Sequence, residues 1–244
     1  MPEEGRFDLL VVDEGQDFRD DADKLALMDA LLKGGLAKGR WRWFEDLDQV
    51  LTPPAEGGAA ESTRALTALL DDEAEYVVRG NWRNSEPIVA CACKALGVPY
   101  EEDDVGLHGP TVVGVACKPG QERELLDAAL RQIIGREVGE GKYRPEDVVV
   151  LSMRGGAKAS FEGCAELGGY PLEPYDITAP AKPGVIRTSS VFKFKGLESH
   201  AVVLTDVDSL DALRDRRKAY VGITRARYRL VMLGSAPTLG RLFE

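Results

Sequence analysis

The stretch Phe7-Asp-Leu-Leu-Val-Val-Asp-Glu-Gly-Gln-Asp17 sets the reading of the chain. Leu9, Leu10, Val11 and Val12 run without interruption into Asp13 and Glu14. A short apolar run of this kind predicts a buried strand of a parallel sheet. In open α/β sheets, ligands sit at the carboxyl ends of the strands. The run therefore delivers two adjacent carboxylates to the edge where a ligand would bind. Such a pair suits a Mg-nucleotide: one carboxylate holds the metal through water and the other polarises an attacking water. A plain strand that ends in an acidic turn has the same local pattern, so the rest of the chain must decide.

With 244 residues, 44% hydrophobic and 30% charged, the composition is that of a globular protein with one large or two modest domains. No apolar run approaches the roughly 18 residues of a membrane span. The first residues, Met1-Pro-Glu-Glu-Gly-Arg6, have no signal-peptide character. Cys91, Cys93, Cys117 and Cys164 match neither a zinc site nor a disulfide framework. Reduced thiols in a cytoplasmic protein are expected. Net charge is −10, unevenly spread. Residues 1–80 carry 9 basic and 19 acidic residues, whereas 181–230 carry 11 basic and 5 acidic. So acidic a chain is a poor general polyanion binder, and any phosphate or nucleic-acid site must be local.

Moving outward, residues 21–32 read as a helix closed by Gly34-Gly35, with Leu25, Met28, Leu31 and Leu32 on one face. Arg40-Trp-Arg-Trp-Phe44 alternates as a half-exposed strand and leads into Glu45-Asp-Leu-Asp-Gln49. A helix over 62–70, a short strand over 76–78 and a helix over 86–96 are expected. A lobe boundary is expected between about 80 and 110. Further on, strands are predicted at 111–116, 148–152, 185–190, 201–205 and 229–233, with helices at 121–138, 157–167 and 209–224. Pro171, Pro174, Pro180 and Pro183 predict a loop. Strands alternating with helices argue for a parallel α/β sheet.

Three segments carry the chemistry. They are Asp13-Glu-Gly-Gln-Asp17, Thr188-Ser-Ser-Val-Phe-Lys-Phe-Lys-Gly-Leu-Glu198 and Ala219-Tyr-Val-Gly-Ile-Thr-Arg-Ala-Arg-Tyr-Arg-Leu230. Together and in this order they resemble the superfamily one DNA helicases of the UvrD/Rep type. That family has Asp-Glu-x-Gln-Asp as its Walker B motif and, later, Lys-Gly-Leu-Glu and Tyr-Val-x-x-Thr-Arg-Ala. Asp46-Leu-Asp-Gln49 is similar to the family's Gly-Asp-x-x-Gln, with Glu45 in place of glycine. Asn81-Trp-Arg83 resembles Asn-Tyr-Arg-Ser, with Asn84 in place of serine.

The resemblance implies a RecA-like second lobe over 81–244, without a large inserted subdomain, preceded over 1–80 by an incomplete RecA-like first lobe. It implies ATP and Mg²⁺ as cofactors and single-stranded DNA as partner. Asp13 would hold the metal, Glu14 would activate water and Gln49 would sense the γ-phosphate. Arg83 and Arg225 would reach that phosphate from the second lobe as arginine fingers. Glu198 would bind near the ribose and phosphates, with Gly196, Gln16 and Asp17 also at the nucleotide. Thr188, Ser190, Phe192, Lys193 and Lys195 would border the DNA path. There, cations track phosphates and aromatic rings such as Phe192, Phe194, Trp41, Trp43 or Trp82 stack on bases. Packing is an equally physical use of the tryptophans and of one face of the Phe192–Lys195 segment.

Departures matter as much. Gly-x-x-x-x-Gly-Lys-Ser/Thr, the loop that cradles phosphates, does not occur in the chain. Only six residues precede the Walker B strand, so the missing part of the first lobe is expected as a partner. Phe192 stands where the family usually has histidine. Two readings follow: the C-terminal portion of an ATP-driven helicase, inactive alone, or a non-catalytic relative that binds nucleic acid or a protein partner. A metal-dependent hydrolase built on Asp13 and Glu14 would leave Arg225 and Glu198 without a role.

Overall fold

The computed structural model describes residues 5–19, 21–51, 66, 68–70, 76–77, 81–100, 107–135 and 143–243. The chain divides into two compact units, Met1–Val78 and Arg79–Glu244.

In the first unit, β1 (Leu10–Val12) and β2 (Trp41–Trp43) pair in parallel, Leu10 opposite Trp41 and Val12 opposite Trp43. Helix α1 (Ala22–Leu31) and the single turn α2 (Gly35–Lys38) join them. Asp21 caps α1 by accepting the Lys24 amide at 3.0 Å. Leu25, Leu32, Leu36 and Leu66 form a small core, against which Leu10, Met28, Trp41 and Trp43 pack. The expected fully buried strand is only half realised. Val12 is buried, whereas Leu9 and Val11 are exposed. Side chains alternate across a strand, and a parallel strand is buried on both faces only when both are covered. Among the described residues, one face of β1 is covered. Of the predicted helix over 62–70, Leu66 and Ala68 to Leu70 are helical and the rest lies outside the described residues. Tyr76 and Val77 are exposed and form no strand; Val78 lies outside the described residues.

The second unit is built on one seven-stranded sheet. Its strands are β3 (Val113–Cys117), β4 (Val148–Ser152), β5 (Glu166–Leu167), β6 (Tyr170–Pro174), β7 (Ile186–Ser190), β8 (Ser199–Val207) and β9 (Ala226–Ser235). Their spatial order is β3-β9-β8-β4-β7-β6-β5, all parallel except the edge pair β5–β6. This is the parallel α/β sheet expected of a RecA-like lobe. Helices α3 (Glu86–Leu96), α4 (Glu122–Ile133), α5 (Leu213–Ile223) and α6 (Ala236–Phe243) complete the unit.

Strand β4 is buried along its whole length, as Val-Val-Val-Leu-Ser dictates for a central parallel strand. On one face, Leu126, Ala129, Leu130 and Ile133 of α4 meet Val148, Val150, Ala201, Val203, Val231 and Leu233. Each such side chain contributes roughly 1.5–3 kcal/mol when removed from water. On the other face, the Cys91 sulfur of α3 lies 3.6 Å from that of Met232. There Gly222 of α5 lets the helix close on the sheet, since a Cβ would sit 2.9 Å from the Leu204 side chain.

Several expectations are corrected. Residues 157–167 are not a helix. A 3-10 turn, Gly156–Lys158, is followed by turns and then by β5. Tertiary bonds hold this segment instead: the Ser160 hydroxyl is 2.9 Å from that of Thr205, and its amide donates to Asp206 at 3.2 Å. The proline-marked loop contains β6, which runs beside β7 near the sheet's edge, where a missing N–H is tolerated. Helix α4 ends at Ile133. Extended Ile134 bridges to Tyr143, and 136–142 lie outside the described residues. Helix α5 begins at Leu213 rather than near 209, and α6 lies beyond every predicted element.

Candidate functional site

The parallel pairing of β1 and β2 sets two polar strand ends side by side. The Phe44 amide donates to Val12 O at 2.9 Å, and the Gly15 amide donates to Phe44 O at 2.8 Å. Position 15 has room for glycine alone, because a Cβ would lie 2.2 Å from the Trp43 ring. Glu14 itself is left-handed, with φ 54°, a conformation uncommon for a side-chain-bearing residue and often associated with function. Its amide donates to Asp13 Oδ1 at 2.9 Å.

From Glu14 a chain of hydrogen bonds runs to the second strand end. Buried Gln16 donates through Nε2 to Glu14 Oε2 at 2.6 Å and accepts the Asp46 amide at 3.0 Å. Gln49 donates to Asp46 Oδ2 at 2.7 Å. The structure thus links Glu14, Gln16 and Gln49, with Asp46 as the intermediary and Asp17 exposed beside them. Glu45, which stands where the resemblance has glycine, accepts from Arg19 Nε at 2.6 Å and Trp43 Nε1 at 2.9 Å. Burial pushes the Glu45 carboxyl up, but these donors outweigh it and hold it below its ordinary value.

Asp13 is exposed at the end of β1. Among the described residues, no group of three or more His, Cys, Asp or Glu could hold a metal ion. One carboxylate fits a Mg²⁺ that keeps water and phosphate as most of its ligands, and does not make a protein-only cage.

In the second unit, the turn Asn81–Ser85 presents Arg83. Asn81 Oδ1 accepts the Arg83 amide at 3.0 Å and the Asn84 amide at 2.8 Å. Asn84 is 1% exposed and donates to Thr224 O at 2.9 Å and Ala226 O at 2.6 Å. It fastens the turn to the junction of α5 and β9. Arg83 Nε then lies 3.3 Å from Glu198 Oε2, and Arg227 Nη1 lies 3.5 Å from Glu198 Oε1. Neither Asn84 nor Arg227 was expected at the site. Asn84 marked a departure from the motif, and Arg227 stands one residue past the end of another.

Arg225, expected to reach the γ-phosphate, stands at the junction of α5 and β9. It is 1% exposed. Its guanidinium donates to Val221 O at 2.9 Å, Leu197 O at 3.2 Å and Thr224 Oγ1 at 3.0 Å. The low-dielectric interior demands such satisfaction of a buried cation. Arg225 ties the end of α5 to the backbone beside Glu198.

The Thr188–Lys195 segment divides. Thr188 is buried within β7 and Lys195 is half-buried. Ser190 Oγ accepts the Lys193 amide at 3.3 Å, and Phe192 and Lys193 are exposed. Phe194 is 0% exposed and stacks edge-on against Tyr175, ring centroids 4.9 Å apart. Of the candidate stacking rings, Phe192 and Trp82 lie at the surface, while Trp41, Trp43 and Phe194 are used in packing. Gly196, with φ 79°, turns the chain toward Glu198.

A further polar cluster closes the carboxyl ends of β4 and β8. Ser152 Oγ donates to Asp206 Oδ2 at 2.5 Å, and Arg154 pairs with Asp208 at 2.8 Å. Lys218 donates to Met153 O.

Comparison with known proteins places part of this unit. Residues 186–233 match the family described as UvrD-like helicase C-terminal domain. No curated protein matches the chain. Among solved structures, the C-terminal domain of a possible DNA helicase from Lactobacillus plantarum WCFS1 is similar at 16% identity and a TM-score of 0.46, over 67% of this chain and 93% of that one. The arterivirus nonstructural protein 10 helicase is similar at 17% identity and a TM-score of 0.40, over 84% of this chain and 36% of its own length. Its complex with DNA gives 16% identity, a TM-score of 0.40 and coverages of 85% and 37%. This chain therefore spans little more than a third of those viral helicases. Among the described residues, no helix is long and apolar enough to cross a membrane. The stretch 186–233, which holds Thr188 to Glu198 and Tyr220 to Ala226, is the part of the chain that matches the UvrD-like helicase C-terminal domain family.

Proposed function

We propose that the chain is the C-terminal portion of an ATP-driven single-strand DNA translocase. Residues 1–80 would be part of a first RecA-like lobe and 81–244 the second lobe. The observation that carries this reading is the meeting of Glu198, inside the matched helicase segment, with Arg83 from outside it. In the intact enzyme, Asp13 would hold Mg²⁺ together with the nucleotide's phosphates, and Glu14 would orient the attacking water. Gln49, carried on the same hydrogen-bonded run, would respond to the terminal phosphate. Arg83 would stabilise charge on that phosphate, and Arg225 would act by holding the backbone that carries Glu198. A bound MgATP would supply the free energy of movement. The exposed pair Phe192 and Lys193, with Ser190 and Lys195, would lie on the DNA path.

No Gly-x-x-x-x-Gly-Lys-Ser/Thr occurs among the 244 residues, so this chain by itself should turn over ATP negligibly. The same observation favours a second reading, a non-catalytic module that binds nucleic acid or a protein partner. Both readings predict that a fluorescent oligothymidylate binds with an affinity that falls as salt rises. Lys193→Ala with Lys195→Ala should weaken that binding. Absence of salt-dependent binding would remove the DNA part of both readings. ATP turnover by this chain that disappears in Glu14→Gln would overturn its assignment as inactive alone.

A further inference from the structure

Arg83 and Arg227 lie 144 positions apart in sequence and meet on one carboxylate, each taking a different oxygen of Glu198, at 3.3 and 3.5 Å. The three side chains are between 42% and 50% exposed, so solvent and solutes reach them. Their positions are nonetheless fixed from below. Asn84 anchors the backbone beside Arg83 to Thr224 O and Ala226 O, and Arg225 holds Leu197 O next to Glu198. Two cations thus share one anion on a braced platform.

We propose that Arg83 and Arg227 form a binding pair for a polyphosphate, with Glu198 as its built-in occupant. The proposal rests on the nucleotide reading of this edge and adds Arg227 to it. Guanidinium forks match phosphate oxygens in pairs. The contacts to Glu198 are longer than the 2.7–2.9 Å of a close charge-assisted hydrogen bond. A ligand with several charges on adjacent phosphoryl groups offers both guanidiniums more than a single carboxylate can. Glu198 must then give way, so it competes with the anion. In this role Glu198 opposes phosphate binding, the reverse of a residue that simply grips the nucleotide.

The test uses inorganic tripolyphosphate, which has neither base nor ribose, titrated calorimetrically into the full chain at low salt. Arg227→Gln should weaken binding about three- to tenfold, as loss of a charged hydrogen-bond donor does at an accessible site. Glu198→Gln should tighten it about two- to fivefold, the worth of relieved exposed ion pairs. Arg83→Gln should match Arg227→Gln. Thermal unfolding of each variant, unchanged from the parent, shows that the platform is intact; these partly exposed side chains leave the core untouched. Glu198→Gln that leaves tripolyphosphate binding unchanged or weaker overturns the proposal, and so does Arg227→Gln without effect. Oligothymidylate binding, measured on the same samples, separates the two levels. Its failure removes the translocase reading, whereas the signs of the tripolyphosphate changes judge this inference alone.

Discussion

Replacing Asn84 by alanine removes three hydrogen bonds from the base of the Arg83 turn: two to Thr224 O and Ala226 O, and one from Asn81 Nδ2 at 3.0 Å. Asn84, Thr224 and Ala226 are buried, so water cannot replace the lost donor without a rearrangement. A net hydrogen bond is worth about 0.5–1.5 kcal/mol, and a buried group left without a partner costs about 1–3 kcal/mol. Taken together, these terms place the loss for Asn84→Ala at about 2–4 kcal/mol. That is a large share of the roughly 5–15 kcal/mol of a folded domain. For a unit of this size it corresponds to a fall in Tm of about 5–15 °C. Asn84→Asp sharpens the test, because it keeps size and shape while turning a donor toward two carbonyls into an anion. It should be at least as damaging as alanine at neutral pH. The forced burial raises the new carboxyl's folded pKa. Its protonated form is therefore favoured by folding, and the deficit should shrink as pH falls. Urea unfolding of both variants, followed by circular dichroism, measures the effect. A loss below about 1 kcal/mol for alanine, or an aspartate variant as stable as the parent, would refute the assignment of Asn84 as a buried donor.

Phe194→Ala should cost the second unit about 3–5 kcal/mol by opening a cavity. Phe192→Ala, at a ring that is 57% exposed, should leave stability nearly unchanged and weaken oligothymidylate binding by about 1–3 kcal/mol; thermal melts and anisotropy separate the two. Glu45 has a carboxyl held below its ordinary value, so its contribution to the first unit is present above the unfolded carboxyl's pKa. That contribution should be lost as pH falls through the folded value. Glu45→Gln should flatten that part of the acid unfolding curve. Burial pushes the Cys91 thiol up to about 12, so the native chain at pH 8 should resist labelling there, and mass mapping should find Cys91 modified only in denaturant.

The central strands were legible because their chemistry is local. Val148 to Leu151 cannot be anything but core, and the apolar run Ala201–Leu204 marks β8 in the same way. The strand ends at Asp13 and Glu45 were equally plain, since an apolar or alternating run meets a polar one at each. What escaped was decided at a distance. The segment 157–167 has helix-compatible residues, but Ser160 is claimed by Thr205 and Asp206 from another strand. Tyr170–Pro174 carries two prolines and still forms β6, next to the sheet's two-residue edge strand β5, where a missing N–H is tolerated. Asn84 read locally as a motif mismatch; its reason lies 140 residues away, at Thr224. Arg225 is prominent in the motif, but only the packed structure shows its guanidinium donating to Val221 O and Leu197 O.

The position of β9 has a consequence in time. The last strand of the sequence sits between β3 and β8, and β3, near the start of the second unit, pairs with β9 alone. A chain made from its N-terminus has β3 in hand at Cys117 but must wait 109 residues for Ala226. At about 5–20 residues per second that is roughly 5–20 s of synthesis. Through that interval β3 lacks its neighbour, β8 joins it in waiting once Val207 is made, and the α5–β9 junction that Asn84 grips does not yet exist. The sheet of the second unit therefore closes only with its last strand, and a ribosome stalled before Ala226 would leave two open strand edges for chaperones or for aggregation.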